Sequence, residues 1–250
     1  MTKTFQLFIV LFVVVVSGCQ ALPKHRLHQR VISGDIPNLG HTVLLLPTEI
    51  TAHELQASGQ KEEVPEWTAQ ATKHVIASLK TSGVGGLKLV QVPKLTDEET
   101  RIVREHVGLY DKVAGSVIWS SNPAVSSAWT HKLKNFDYTI GDGLSFLADK
   151  TGVDKALLIV GEDTISSSGR QATFIFAAAF GVAIPMGYAI VNAGIVDLRT
   201  GDLLWMNTTA NVMSLSLREQ ESSDKMVGVL FEEYPGIENY KEALKSVGKK

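Results

Sequence analysis

The chain has a single cysteine among its 250 residues, which excludes a disulfide framework and a cysteine-ligated metal site. It also lacks a strong charge of either sign, because 24 basic residues are balanced by 26 acidic ones. A nucleic-acid-binding domain would show a basic surface, so this balance argues against one. We find no internal repeat and no low-complexity segment. The folded part must therefore be stabilised by its apolar core alone.

Complete catalytic motifs are also missing. The His-Glu pair at 53–54 lacks the second histidine of the zinc-protease pattern. The serines between Gly161 and Gly169 do not form a Gly-x-Ser-x-Gly elbow. The glycines at 83–86 follow a predicted helix, whereas phosphate-binding glycines precede one. The histidines have no metal-ligand spacing. We therefore predict a protein that is not an enzyme and has no cofactor and no metal.

The amino terminus has the pattern of an export signal. Lys3 provides a positive start, and Phe5 to Val16 form an apolar run of 12 residues. This run is shorter than the roughly 20 residues of a membrane-spanning helix and is typical of a signal peptide. Val16-Ser17-Gly18-Cys19 follows and resembles the lipobox of bacterial lipoproteins. The resemblance implies cleavage after residue 18 and lipidation of Cys19 with fatty acyl chains such as palmitate.

The same resemblance implies a location and a division of the chain. Gln20, rather than Asp, follows the cysteine, which implies sorting to the periplasmic face of the outer membrane, with the inner membrane as the alternative. The parts are then a signal peptide at 1–18, a lipidated Cys19 with a basic tether at 19–40, and a periplasmic domain at 41–250. The tether is interpreted as a solvated linker, although its basic residues could also contact anionic head groups.

Apolar periodicity predicts alternating strands and helices after residue 40. Strands are predicted at 41–47, 87–92, 155–160, 188–196 and 203–206, and helices at 66–79, 96–119, 137–150, 172–184, 216–231 and 237–247. Thr96 and Glu99 form a capping box. Thr200-Gly201-Asp202 is a hairpin turn between the last two strands. The pattern predicts a single α/β domain with a mixed sheet covered by helices and a late antiparallel hairpin.

Two carboxylates are the candidate ligand site. Glu162 and Asp163 follow the predicted central strand at 155–160, at the edge where open α/β sheets bind ligands. This position would suit a small-ligand binder or a hydrolase. The alternative is that both side chains mark the point where the strand reaches solvent, and we favour this second interpretation.

Residues 171–196 contain no charged side chain over 26 residues. Their length could cross a membrane, but Gly181, Pro185 and Gly187 interrupt the middle. We favour a helix packed closely on the sheet, followed by a strand. The alternatives are an apolar surface for self-association and a membrane insert that forms part of a homo-oligomeric secretion pore. The candidate interface or membrane residues are Phe174, Phe176, Phe180 and Tyr188.

The hairpin from Val196 to Trp205 has the pattern Asp-Leu-x-Thr-Gly-x-x-x-Trp. It resembles a hairpin of envelope lipoproteins with a TolB-amino-terminal-like α/β fold, a group that includes CsgG and LpoB. The resemblance implies a non-enzymatic envelope component with no shared catalytic residues. We therefore predict an accessory lipoprotein that is attached to membrane lipid and docks envelope proteins in assembly or export. A pore subunit and a small-ligand binder are the alternatives.

Overall fold

The computed structural model describes residues 25–37, 39–81, 86–120, 129–132, 135–181, 186–211, 215–232 and 234–235. These residues form one mixed sheet of eight strands with six helices. The strands are β1 (His25–Leu27), β2 (Thr42–Leu45), β3 (Glu49–Leu55), β4 (Lys61–Glu63), β5 (Lys88–Gln91), β6 (Lys155–Ser166), β7 (Gly187–Asp197) and β8 (Leu203–Asn211). The helices are α1 (Gln29–Ile32), α2 (Pro65–Thr81), α3 (Asp97–Ser120), α4 (Ser145–Thr151), α5 (Ser168–Ala179) and α6 (Gln220–Phe231).

The sheet is organised around β6. On one side, β7 pairs with β6 in antiparallel register from Lys155 to Ile165. On the other side, β2 and then β3 pair with it in parallel. Pro47 lies between β2 and β3 and has no N–H for a ladder hydrogen bond. The order across the sheet is β1-β8-β7-β6-β2-β5, with β4 paired to β3. The predicted mixed sheet with a late antiparallel hairpin is confirmed.

Two apolar clusters lie on opposite faces of this sheet. Leu157 belongs to the cluster under α2 and α6, which includes Val75. Leu158 belongs to the cluster under α3 and α4, which includes Val107. Successive strand residues point to opposite faces, so a strand with both faces covered must be apolar at every position. This requirement explains the unbroken apolar sequence from Ala156 to Val160.

The start of α3 and the turn between β7 and β8 form as predicted. Thr96 accepts a hydrogen bond from the backbone N–H of Glu99, and the Glu99 carboxylate accepts one from the N–H of Thr96. This reciprocal pair is the capping box. In the hairpin, Gly201 has φ +73°, and a Cβ atom there would lie 1.9 Å from the oxygen of Gly141. The turn therefore requires glycine for its conformation and for its packing.

The helix predicted at 137–150 is wrong over its first half. Only α4, from residue 145 onward, is helical. Thr139 instead bridges to Asp202, and the N–H of Ile140 donates to the oxygen of Gly201. The hairpin turn therefore takes the backbone hydrogen bonds that a helix would have used, and tertiary pairing overrides the local pattern. Ile140 is still buried, as its periodicity predicts.

The folded part begins earlier than the predicted boundary at residue 41. β1 pairs with β8, with Leu27 opposite Trp205. Val31 of α1 is completely buried, and Arg30 forms an ion pair with Asp202. The solvated tether is therefore a wrong interpretation for residues 25–37, because their apolar side chains fill the edge of the core. Residues 1–24 and the helix predicted at 237–247 lie outside the described residues.

Trp205→Ala should lower the free energy of unfolding by about 3–5 kcal/mol, because it removes a large side chain from a closed core. Trp205 is fully buried, and its ring centroid lies 5.6 Å from that of Phe231 and 5.0 Å from that of Tyr234. Chemical denaturation measures the loss. Trp129→Ala, at an exposed tryptophan, is the control and should cost less than about 1 kcal/mol. Equal losses for the two variants would contradict this packing.

Candidate functional site

Glu162 and Asp163 lie inside β6, which continues to Ser166. The prediction that they follow the strand at the sheet edge is therefore wrong. The strand continues because β3 and β7 both pair alongside it at these positions. As successive strand residues, the two carboxylates point to opposite faces of the sheet. They therefore belong to two separate environments and do not form one paired-carboxylate site.

Glu162 is the centre of an ion-pair network built from four strands. Its Oε1 atom lies 2.6 Å from Nζ of Lys61 on β4 and accepts a hydrogen bond of 3.1 Å from the hydroxyl of Thr164. Nδ1 of His53 on β3 lies 3.2 Å from the same oxygen without hydrogen-bond geometry. Lys61 also donates to the hydroxyl of Tyr188 on β7. The carboxylate and the ammonium group therefore already satisfy each other.

The charges in this network shift the pKa values of both partners. Burial acts to raise the pKa of Glu162, but the hydrogen bond and positive charge of Lys61, with Thr164, hold that pKa below its usual value. Burial acts to lower the pKa of Lys61, but the hydrogen bonds to Glu162 and Tyr188 raise it above its usual value. Each shift favours the charged form. Glu162 is thus held as an ionised, paired carboxylate and is poorly suited to be a general acid.

Asp163 points to the other face and has a structural role. It is almost completely buried and accepts hydrogen bonds from the hydroxyl of Ser216 at 2.8 Å and from the N–H of Leu217 at 2.9 Å. Burial raises the pKa of Asp163, while these hydrogen bonds partly oppose that shift. The contacts fix the segment before α6, which explains why α6 begins at Gln220 and not at Ser216 as predicted.

A small cleft borders Asp163, but its size argues against a ligand site. Its volume is about 160 Å³, and its lining includes Thr164, Met186 and Tyr188. Ligand pockets usually measure about 300–1,000 Å³. Within the described part of the chain, no group of three or more acidic, histidine or cysteine side chains is placed to hold a metal ion. The geometry therefore favours a closed polar network over a binding site.

The two carboxylates should respond to pH in opposite directions. A depressed folded-state pKa means that the stability contributed by Glu162 is present above its usual pKa and is lost as pH falls through the folded value. A raised folded-state pKa means that the contribution of Asp163 is present below its usual pKa and is lost as pH rises through the folded value. Chemical denaturation of Glu162→Gln and Asp163→Asn from about pH 3 to pH 7 measures both effects.

The difference between the parent and Glu162→Gln should shrink as pH falls, whereas the parent should gain stability relative to Asp163→Asn. Asp142→Asn removes an exposed carboxylate and is the matched control. Parallel trends for the two test variants would show that the environments assigned to these carboxylates are wrong.

The uncharged segment contributes to α5 and β7. The prediction that the helix packs closely on the sheet is wrong. α5 contains no buried residue. Its half-buried positions include Phe174, whereas Ile175, Phe176 and Phe180 have exposed fractions of 71%, 69% and 73%. The helix follows the end of β6, beyond the apolar cluster that ends at Val160 along this strand. There is consequently no covered sheet surface for α5 to pack on.

The apolar stripe of α5 faces outward. The exposed positions of α5 and of its C-cap, Phe180, include Ala172, Ile175, Phe176, Ala179 and Phe180, which share one face by their spacing of three and four residues. We call these five residues the outward stripe. In a surface helix of a folded domain, such a stripe normally faces the core. The orientation of α5 is therefore the reverse of the usual one.

The four residues proposed for an interface or membrane segment separate in the structure. Phe176 and Phe180 are exposed together, with ring centroids 5.1 Å apart. Phe174 lies on the half-buried side of α5. Tyr188 belongs to β7 and to the Glu162 network. Only the α5 residues therefore remain as candidates for contact outside the domain.

Sequence reasoning missed a pair of exposed tryptophans at the end of α3. Trp119 and Trp129 have exposed fractions of 67% and 53%. The backbone N–H of Trp129 donates to the backbone oxygen of Ser120 at 3.0 Å, which places the backbone of both tryptophans near the end of this helix. We call them the tryptophan surface. The buried positions of α3 end with Val117. Trp119 does not continue their spacing of three and four residues, and this mismatch was the sequence signal for its exposure.

The proposed lipidation site lies outside the described residues, as do the other residues before His25. In the part of the chain that is described, no helix combines the length and the hydropathy needed to cross a bilayer.

Comparison with known sequences gives no match, either among protein-family models or among curated proteins. Comparison with solved structures finds similar folds at low identity, among them these three. The PelC dodecamer from Paraburkholderia phytofirmans is 11% identical, covers 77% of this chain and 89% of its own, and has a TM-score of 0.31. Lipoprotein GNA1162 from Neisseria meningitidis is 12% identical, covers 70% and 82%, and has a TM-score of 0.27. The LpoB C-terminal domain from Salmonella enterica is 13% identical, covers 75% and 96%, and has a TM-score of 0.26.

At these identities and TM-scores, the comparison shows only a loose likeness in fold. It assigns no partner, assembly or activity to this chain.

Proposed function

We propose that this protein is an accessory lipoprotein of the bacterial envelope, held to the outer membrane through lipidated Cys19, and that it docks other envelope proteins. The anchor is supported by the apolar run at 5–16 and by Val16-Ser17-Gly18-Cys19, where the only cysteine of the chain stands in a lipobox-like sequence. A docking role is supported by the exposed tryptophans on the surface of the folded domain.

The tryptophan surface is the observation that carries the docking proposal. Trp119 and Trp129 are both more than half exposed, and their backbones lie near the same end of α3. Tryptophan is enriched among the residues that dominate binding energy in protein interfaces. Trp205 is buried in the same domain, which shows that the fold can hold such a side chain in its core. The exposed pair therefore supports recognition of a protein partner.

The state of the polar groups favours docking over catalysis. Glu162 is paired with Lys61, and Asp163 is used to hold the segment before α6. A general acid or base must be free to reach a substrate. Neither carboxylate is free in this way, which favours docking over a hydrolase at this position.

The pore alternative also conflicts with the pairing of its second half. A pore built from Phe174 to Val191 needs the residues from Gly187 onward, which belong to β7. β7 pairs with β6 on one side and with β8 on the other. Inserting this strand elsewhere would open the centre of the sheet. The geometry therefore favours a docking protein over a pore of this kind.

A photo-cross-linking amino acid placed at 119 or 129 in living cells should give reproducible covalent products with one envelope protein, identified by mass spectrometry. The same amino acid at Val229, an exposed apolar position on α6, is the control and should not give that product. In addition, Trp119→Ala with Trp129→Ala should abolish recovery of the partner, while the free energy of unfolding changes by less than about 1 kcal/mol.

Two results would contradict docking through the tryptophan surface. One is an identical set of products from Val229 and from the two tryptophan positions, because this would indicate non-specific contact. The other is full partner recovery by the double variant. A product ladder containing only copies of this chain would favour self-association instead.

A further inference from the structure

The outward stripe of α5 requires an apolar occupant. Its members include Ile175, Phe176 and Phe180, all more than two thirds exposed. Exposing such side chains costs about 25 cal/mol for each Å² of apolar surface, so a contiguous stripe of them usually marks a contact site. The place where β1 begins, together with the number of residues between it and Cys19, indicates the occupant.

The chain enters the fold from the end of the sheet at which α5 lies. β1 runs antiparallel to β8, with His25 opposite Asn207 and Leu27 opposite Trp205. The start of β1 therefore points toward the end of β8 at Asn211. Asn211 is opposite Ala189, near the start of β7. β6 ends at this same end of the sheet, and α5 follows β6 in the chain. His25, the first residue of β1, therefore lies toward the end of the sheet from which α5 follows β6.

The covalent distance from Cys19 to this end is short. Six residue steps separate Cys19 from His25, and a fully extended chain spans at most about 3.6 Å per residue, or about 22 Å in total. The four residue steps from Asn207 to Asn211 correspond to about 13 Å along β8. If Cys19 is held in the membrane, His25 lies within about 22 Å of the membrane surface, at the same end of the sheet as α5.

We propose that α5 lies flat in the interface of the same membrane that holds Cys19, with its outward stripe inserted into the boundary between head groups and acyl chains. This inference rests on the lipid anchor proposed above and deepens it, because α5 becomes a second attachment point that sets the orientation of the domain. Interfacial helices of this kind bury an apolar face rich in Phe, Leu or Trp by about 5–10 Å.

The size and charge of α5 fit an interfacial position better than a spanning one. Twelve helical residues measure about 18 Å, whereas the hydrocarbon core of a bilayer is about 30 Å thick. Arg170 is the only charged residue of the helix, so α5 brings no acidic group toward anionic head groups. A second copy would also need to reach α5 at the end that the anchor holds against the bilayer. The apolar layer of the membrane is already present there.

The test uses the lipidated protein in vesicles of phosphatidylethanolamine and phosphatidylglycerol. Ile175→Cys carries a nitroxide spin label, and Asp149→Cys, an exposed position on α4, is the matched control. α4 leads into the start of β6, at the end of the sheet opposite α5. Electron paramagnetic resonance measures the collision rates of each label with oxygen, which concentrates in lipid, and with a nickel chelate, which stays in water.

Compared with the label at 149, the label at 175 should collide more often with oxygen and less often with the nickel chelate. Equal accessibility of the two labels to the nickel chelate would overturn the proposal. Shielding of the label at 175 from both reagents would also overturn it, because a protein, either a partner or a second copy, would then cover α5. Dipolar broadening of the spectrum would identify the second copy.

A failure of the anchor itself is distinguished in the same experiment. The unsubstituted protein has only Cys19, and acylation blocks that thiol. Label incorporation into the unsubstituted protein would show a free Cys19 and would contradict the lipid anchor. If Cys19 is blocked and the label at 175 is still accessible to the nickel chelate, the anchor stands and the interfacial helix is wrong.

Discussion

The pairing of β6 on both sides is the constraint on which the rest of the structure depends. This strand of 12 residues holds β7 along one side and β2 and β3 in succession along the other. Its first half lies between two apolar clusters, and its second half extends beyond the cluster under α3 and α4. A single continuous strand therefore provides both the covered centre of the domain and a projecting end with different surroundings.

The polar groups at the projecting end follow from this geometry. Strand alternation sends Glu162 and Asp163 to opposite faces, so their neighbours differ. Glu162 meets Lys61, and Asp163 meets the backbone of Leu217. The hydrogen bonds of buried or half-buried carboxylates must be satisfied. Both side chains therefore stabilise the connections of outer elements to β6, and they leave no free acid–base pair.

The outward stripe of α5 has the same origin. Because α5 starts where β6 ends, it has no sheet beneath it that could cover Ile175 or Phe176. An apolar helix in this position is a cost for an isolated domain and an advantage for one that is attached to a surface. Insertion of α5 beside a membrane would leave the opposite end of the sheet, with α4 and the β7–β8 turn, directed away from the bilayer. The domain would then present a defined orientation to its partners.

The sequence by itself determined the elements whose signals are local. The capping box at Thr96, the turn at Gly201 and the apolar run of β6 are each recognised from a few neighbouring residues, and all three were predicted. Cys19 and its lipobox-like context are also local signals, although they lie outside the described residues. The mixed sheet followed from the order of these elements, because two strands joined by a tight turn are antiparallel and strands separated by helices are usually parallel.

Tertiary structure decided the features that depend on distant residues. β1 became part of the sheet because β8 offered an edge to pair with, and residues 139–140 left the helical pattern because the hairpin turn accepted their hydrogen bonds. The sequence of α5 is equally compatible with a buried helix and with an exposed one. Which of the two forms depends on how far β6 extends beyond the helices that cover the sheet, and no local sequence pattern contains that length.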